Sequence, residues 1–156
     1  MKGSQQSKRN AIKRNTTLSF QRERIKEELI QRDGLMCRVH GCTSLGTDMH
    51  ECFVPRSAVM SSGDDKRLAI HTYHNCILVC NFHNLNMTHE IQVQLRRHKI
   101  KQAGLTALVG KGLTVIPTQT VIEVGMDVIQ DEIDKMGLVT RFDVKGLAEY
   151  DLTKYG

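Results

Sequence analysis

The spacing of cysteine and histidine residues constrains this chain more than any other feature. Cys37 and Cys42 have four residues between them in CRVHGC, and Cys80 and His83 have two in CNFH. Structural zinc sites take four tetrahedral Cys and His ligands, usually as two close pairs on either side of an intervening segment. The pattern therefore predicts a zinc site formed by Cys37, Cys42, Cys80 and His83.

His40 is an alternative to Cys42, because it also follows Cys37 at knuckle spacing and precedes Gly41. Cys52 and Cys76 have no partner at ligand spacing and are predicted to be buried core residues. The odd number of five cysteines favours metal ligands and core thiols over disulfides, as in a reducing compartment. No run is apolar enough to span a membrane, and the first residues do not resemble a signal peptide. We therefore expect a cytoplasmic protein without a membrane partner.

The charge is unevenly distributed along the 156 residues, a length typical of about one domain. Residues 1–102 carry 17 Lys and Arg against 9 Asp and Glu, whereas residues 103–156 carry 5 against 8. Contacts from Lys and Arg to phosphates dominate nucleic-acid affinity, so the basic part predicts a polyanion partner.

The periodicity of apolar residues predicts a mixed α and β chain. A basic arm occupies residues 1–18, and a helix is expected from Ser19 to a stop at Gly34. Two short strands, TDMHECFV and NCILVC, would enclose a polar loop. The segment MTHEIQVQLRRHKIKQAG predicts a helix that ends at Gly104. The segment GLTVIP predicts a strand. The segment TQTVIEVGMDVIQDEIDKMG predicts an amphipathic helix that is capped by Gly137. These elements suggest a central domain over residues 19–102 and a helical extension over residues 103–156.

Ionisable residues lie between the two ligand pairs, in DMHEC and in the pair His74-Asn75. Hydrolysis of a phosphodiester needs a base that activates water, a cation that stabilises the leaving oxyanion, and a residue that orients the base. The segments MHECFVPRS and NCILVCNFHN, with the flanking cysteines, resemble the HNH endonucleases, especially the zinc-stapled members often found in phages. The resemblance covers roughly residues 32–90.

The resemblance implies an α+β fold with a zinc-stapled ββα-metal core, a leading helix and a helical C-terminal extension. It implies a metal-dependent DNA endonuclease that hydrolyses phosphodiester bonds with an activated water, in the host cytoplasm if the protein is phage-encoded. His50 matches the general base and Asn75 the asparagine that orients it. Asn84 matches the last motif position, so Asn75 and Asn84 would face a catalytic cation such as Mg²⁺.

Two departures from the family pattern leave alternatives open. Family members commonly have Asp-His or His-His where this chain has His50-Glu51. In one alternative, His50 is the base and Glu51 assists the metal. In the other, His50 binds the metal and Glu51 is the base, although a carboxyl group with its ordinary pKa is a poorer base near neutrality. His83 could also complete the catalytic site, with His40 completing the zinc site. His71, His74 and His98 have no assigned role and are expected at the surface.

DNA is the expected partner. A homodimer is expected if both strands are cut, and the acidic C-terminal helix could bind a protein partner. The alternative function is a zinc-stabilised DNA-binding or adaptor module without nuclease activity. The residues expected to contact phosphates are Lys8, Arg9, Lys13, Arg14, Arg56, Arg96 and Arg97.

Overall fold

The computed structural model describes residues 19–59, 63–138 and 142–147, so the predicted arm lies outside the described residues. The predicted first helix, α1, covers residues 19–33. Ile25 and Leu29, one turn apart, are its buried residues. The helix ends at Gly34, whose φ of 83° suits glycine and whose N–H bonds the Ile30 carbonyl. The prediction for this helix is confirmed.

A two-stranded antiparallel sheet forms the centre of the fold, from β1 (Asp48–Glu51) and β2 (Cys76–Val79). His50 lies opposite Ile77, and Asp48 lies opposite Val79. Side chains alternate along a strand, so Asp48 and His50 share one face while Met49 and Glu51 share the other. Met49 packs with Leu78 in the cluster that α1 covers. Both predicted strands exist, and each is shorter than expected.

The segment between the strands is more ordered than the predicted polar loop. It contains a 3₁₀ helix, Arg56–Val59, and the helix α2, Asp64–Ala69. Val59 and Ile70 are fully buried. Burial of these two apolar residues attaches the segment to the core. The polar composition of the segment did not indicate this attachment.

The helices α3 (Asn81–Leu85), α4 (His89–Val109) and α5 (Thr118–Lys135) follow in the described chain, and residues 144–147 are also helical. The Thr88 hydroxyl caps α4 by accepting a hydrogen bond from the Ile91 N–H at 3.2 Å. The predicted end of this helix at Gly104 is wrong. A Cβ at Gly104 would lie 2.0 Å from the Val121 carbonyl oxygen, so the glycine allows α4 and α5 to cross at backbone contact.

The C-terminal helices share one core with the sheet. A single cluster contains Val79 of β2, Leu95 and Ile100 of α4, and Ile129 of α5. The boundary expected between residues 102 and 103 therefore falls inside α4. Residues 112–117 do not form the expected strand, whereas α5 follows its prediction, with φ of 65° at Gly137. None of the helices in the described part of the chain is long and apolar enough to cross a membrane.

Candidate functional site

A group of four potential metal ligands joins the loop after α1 to α3. Cys37 and Cys42 lie in that loop, where Gly41 adopts a φ of 79° between them. Cys80 is the N-cap of α3, and His83 follows one turn later. The tight loop and the helix N-terminus therefore bring two local pairs together from distant parts of the sequence.

The donor atoms of Cys37, Cys42, Cys80 and His83 all lie within 4.8 Å of one another. The Cys42 and Cys80 sulfurs are 4.0 Å apart, and His83 Nδ1 lies 3.6 Å from Cys37 Sγ and 3.2 Å from Cys80 Sγ. A tetrahedral site with Zn–S bonds of about 2.3 Å has edges of about 3.8 Å. The four side chains could therefore hold a metal such as zinc.

Cys42, and not the alternative His40, belongs to this group. The His40 side chain is exposed, and its backbone N–H donates to Gln94 Oε1 at 3.1 Å. A backbone hydrogen bond at Ser44 lowers the pKa of the Cys42 thiol, which favours the thiolate that a metal requires. Cys52 and Cys76 are buried as predicted, and burial raises the pKa of Cys52 to about 12.

Asp48 lies beside the candidate residue Asn84. Asn84 Nδ2 and Asn81 Nδ2 each donate to Asp48 Oδ2 at 3.1 Å, and Thr47 donates to Asp48 Oδ1 at 2.9 Å. Burial opposes ionisation of Asp48, but these hydrogen bonds and the positive charge of Lys26 lower its pKa overall. Asp48 therefore presents an ionised carboxylate next to the amide of Asn84.

Asp48 was not among the site residues expected from the sequence. The available signal was its position two residues before His50, which puts both side chains on one face of β1. Neighbouring Cα atoms on one face of a strand are about 7 Å apart, a distance that a small ligand can span.

The imidazole of His50 is held in its neutral form. Burial lowers its pKa and Arg96 lowers it further, while Glu51 acts in the opposite direction. His50 Nε2 is buried and has no hydrogen-bond partner among the described residues. A neutral imidazole retains one nitrogen lone pair, which can accept a proton.

Glu51 lies on the opposite face of β1 and has different neighbours. Its Oε1 is 3.3 Å from His71 Nε2 and 3.7 Å from the Arg56 guanidinium. The expected surface position of His71 is wrong, because this side chain is buried. His50 and Glu51 therefore lie in different environments, on opposite faces of β1.

Asn75 is buried, and its amide is occupied by backbone groups. Its Oδ1 accepts from the N–H groups of Phe53 and Val54, each at 3.0 Å. Its Nδ2 donates to the carbonyl groups of Val54 at 3.0 Å and Ile70 at 2.8 Å. The side chain therefore fixes the chain that follows β1, and these bonds leave no amide group for the His50 ring.

The predicted phosphate-binding residues differ in accessibility. Arg56 is exposed. Arg96 is half-buried and its Nε donates to the Cys52 carbonyl at 2.8 Å; Arg97 is half-buried too. Lys99, in the same basic run, is fully buried, so it cannot contact a phosphate on the surface. Lys8, Arg9, Lys13 and Arg14 lie outside the described residues.

No protein-family model, curated protein or solved structure gave a significant match to this chain.

Proposed function

We propose that this protein is a metal-dependent DNA endonuclease of the HNH type. The observation that carries the proposal is the contact of Asp48 with Asn84 on the face of β1 that also bears His50. An acid in contact with an amide, with a neutral imidazole two residues along the same strand face, provides the groups that metal-assisted phosphodiester hydrolysis uses.

The Cys/His group would hold zinc for a structural purpose. Four protein ligands fill a tetrahedral zinc ion and leave no position for water or substrate, which is the arrangement of structural sites. Zinc there would fix the loop after α1 against α3 and so hold Asn84 next to Asp48. This role agrees with the position of Asn84 directly after the ligand His83.

The carboxylate of Asp48 and the amide oxygen of Asn84 would bind the catalytic cation. Mg²⁺ prefers oxygen ligands and commonly keeps several waters while one or two protein groups hold it. When bound, such a cation supplies charge stabilisation for the oxyanion that leaves the phosphorus. Asp48 thus replaces Asn75 in the cation site expected from the sequence, and Asn75 becomes a positioning residue.

His50 would accept the proton of the attacking water. The water oxygen then bonds to phosphorus, and the bond from phosphorus to the leaving oxygen breaks. We prefer His50 to Glu51 as the base, because Glu51 is on the other face beside His71 and Arg56. An imidazole also has an ordinary pKa nearer to neutrality than a carboxyl group.

The basic N-terminal arm and Arg56 would add phosphate contacts that do not depend on sequence. Each such contact makes the affinity for DNA fall more steeply with salt. A flat dependence of DNA affinity on salt would exclude the arm from binding.

The proposal is tested by incubating zinc-loaded protein with supercoiled plasmid, with and without Mg²⁺ or Mn²⁺. We expect relaxed or linear plasmid with the native chain, and loss of cutting with His50→Ala and with Asp48→Asn. His40→Ala is the matched control, because His40 is exposed and outside the metal-ligand group. Absence of metal-dependent cutting by the native chain would contradict the proposal.

Zinc binding has a separate test. We expect Cys42→Ala to reduce the bound zinc and the thermal midpoint, whereas His40→Ala retains both. Metal content by elemental analysis and thermal unfolding with and without a chelator are the measurements. Equal zinc loss in both variants would restore His40 as a ligand.

A second candidate is a zinc-stabilised DNA-binding module without hydrolysis. The buried Nε2 of His50 favours it, because a general base must reach water. DNA binding that is equal in the native chain and in His50→Ala, with no cutting by either, would establish this second function.

A further inference from the structure

A cleft lies between α1 and β1, and one side of it is formed by residues of α1 that precede the segments resembling the nuclease family. Its volume is about 390 Å³, and Arg22, Lys26, Asp48, Arg56 and Asn84 are among its lining residues. Arg22 and Lys26 are four residues apart, so they project from the same face of α1. The cleft thus places two basic residues of the leading helix beside the Asp48–Asn84 pair.

The charges in the cleft suit an anion once a cation is present. The lining contains three basic side chains, Arg22, Lys26 and Arg56, and two carboxylates, those of Glu23 and Asp48. The positive charge of Lys26 already acts on Asp48, because it contributes to the lowered pKa of that carboxyl. A divalent cation at Asp48 would neutralise its carboxylate and leave the cleft with a clear positive excess.

The lining also indicates how a nucleic acid would be recognised. None of the described residues that line the cleft is aromatic, and Met49 is the main apolar side chain among them. Stacking platforms for bases are usually aromatic side chains, whereas phosphates are bound by Arg, Lys, Ser and Thr. The lining is therefore suited to a sugar–phosphate backbone.

We propose that α1 forms one wall of the substrate cleft, with Arg22 and Lys26 binding backbone phosphates of the DNA strand whose scissile phosphate lies at Asp48 and Asn84. This inference rests on the proposed nuclease function. It assigns a substrate-binding role to a helix that the family resemblance, starting near residue 32, does not include. It also makes strong DNA binding at this cleft depend on the divalent cation.

The test compares Arg22→Gln and Lys26→Gln with Arg24→Gln as the matched control. Arg24 lies on the same helix, is exposed and is absent from the cleft lining, so its replacement removes the same charge elsewhere. Glutamine keeps a helix propensity close to that of Arg and Lys. Binding to duplex DNA is followed by fluorescence anisotropy over a salt series, with Ca²⁺ in place of Mg²⁺, and cutting is followed with Mg²⁺.

We expect each cleft variant to reduce the slope of log affinity against log salt by about 0.9, the value for one lost phosphate contact. Arg24→Gln should change the slope by less than half as much. We also expect the difference in slope between the cleft variants and Arg24→Gln to be smaller when Ca²⁺ is omitted. Unchanged zinc content and thermal midpoint show that each variant remains folded.

The possible failures are distinguishable. If the native chain cuts DNA and all three variants change the salt slope by the same amount, the cleft proposal is overturned and the nuclease proposal stands. If the native chain does not cut while the cleft variants lower the slope more than the control, the nuclease proposal fails and the cleft stands as a DNA-binding surface.

Discussion

Asn75 shows how a single buried side chain can organise the residues near a site without facing the chemistry. Its amide makes four hydrogen bonds to the backbone of Phe53, Val54 and Ile70. Together these bonds use the full donor and acceptor capacity of an asparagine. The spacing of the motif identified the residue, but its hydrogen bonds assign it a structural task.

Replacement of Asn75 by Ala should lower the free energy of unfolding by about 3 kcal/mol or more, because buried backbone groups lose their partners. Urea unfolding followed by circular dichroism measures the change. Asn86→Ala is the control, since Asn86 is exposed and donates one bond to the Phe82 carbonyl. A similar small loss in both variants would show that water replaces the partners of Asn75.

Lys99 is a buried cation, and its burial makes stability depend on pH. Its Nζ donates to the Tyr73 carbonyl at 2.8 Å. Burial, reinforced by the charge of Arg32, lowers the Lys99 pKa from 10.5 to about 8. Between these two values the unfolded chain binds the proton and the folded chain does not, so this residue makes the fold more stable as the pH rises.

We expect the native chain to gain roughly 2 kcal/mol of unfolding free energy between pH 7 and pH 10 relative to Lys99→Met. The comparison of two chains removes the shared contribution of thiol ionisation. Urea unfolding at several pH values provides the measurement. Parallel pH curves for the two chains would mean that Lys99 has an ordinary pKa.

At the scale of elements, the crossing of α4 and α5 depends on glycines. A Cβ at Gly125 would lie 1.9 Å from the Ile100 carbonyl oxygen, and one at Gly104 would lie 2.0 Å from the Val121 carbonyl oxygen. Periodicity alone predicted that Gly104 ends a helix, because glycine is common at helix ends. The requirement for close backbone approach is a property of the helix pair and cannot be read from either helix alone.

Gly125→Ala should therefore destabilise the protein by several kcal/mol, although a Gly to Ala change inside a helix ordinarily stabilises it by up to about 1 kcal/mol. Gly110→Ala is the control, because its Cβ would meet the Thr106 carbonyl oxygen at the milder distance of 3.2 Å. Thermal unfolding of both variants is the measurement. An increase in the thermal midpoint of Gly125→Ala would exclude the close crossing.

At the scale of the whole molecule, the acidic C-terminal part is bound to the basic part through a common core. Ile122, Ile129 and Ile133 of α5 belong to the cluster that contains Val79 and Leu95. A chain ending at residue 116 would expose this apolar surface to water. The helical extension therefore belongs to the same core as the sheet, and a protein partner for its acidic helix stays a prediction.

We expect this truncated chain to lose cooperative thermal unfolding and to aggregate at concentrations where the full chain is monodisperse. Circular dichroism during heating and size-exclusion chromatography measure the two effects. A truncated chain that unfolds cooperatively near the midpoint of the full chain would show that residues 1–116 fold independently.

The sequence by itself determined the local features of this protein. Cys37 and Cys42, like Cys80 and His83, are near neighbours along the chain, so their spacing predicted the metal-ligand group, with His40 left as an alternative to Cys42. The helices α1 and α5 followed from apolar periodicity and from Gly34 and Gly137. Each of these features depends on distances of a few residues, over which the backbone geometry is fixed by the type of element.

Only the tertiary structure decided which distant side chains meet. Asp48 contacts Asn84 because β1 lies against α3, and strand alternation then assigns His50 to their face and Glu51 to the face of His71. The burial of Lys99 and the wall that α1 forms beside Asp48 depend equally on how elements pack. A sequence pattern predicts which face of a helix or strand is apolar. Which other element packs against that face is decided by the packing of the whole chain.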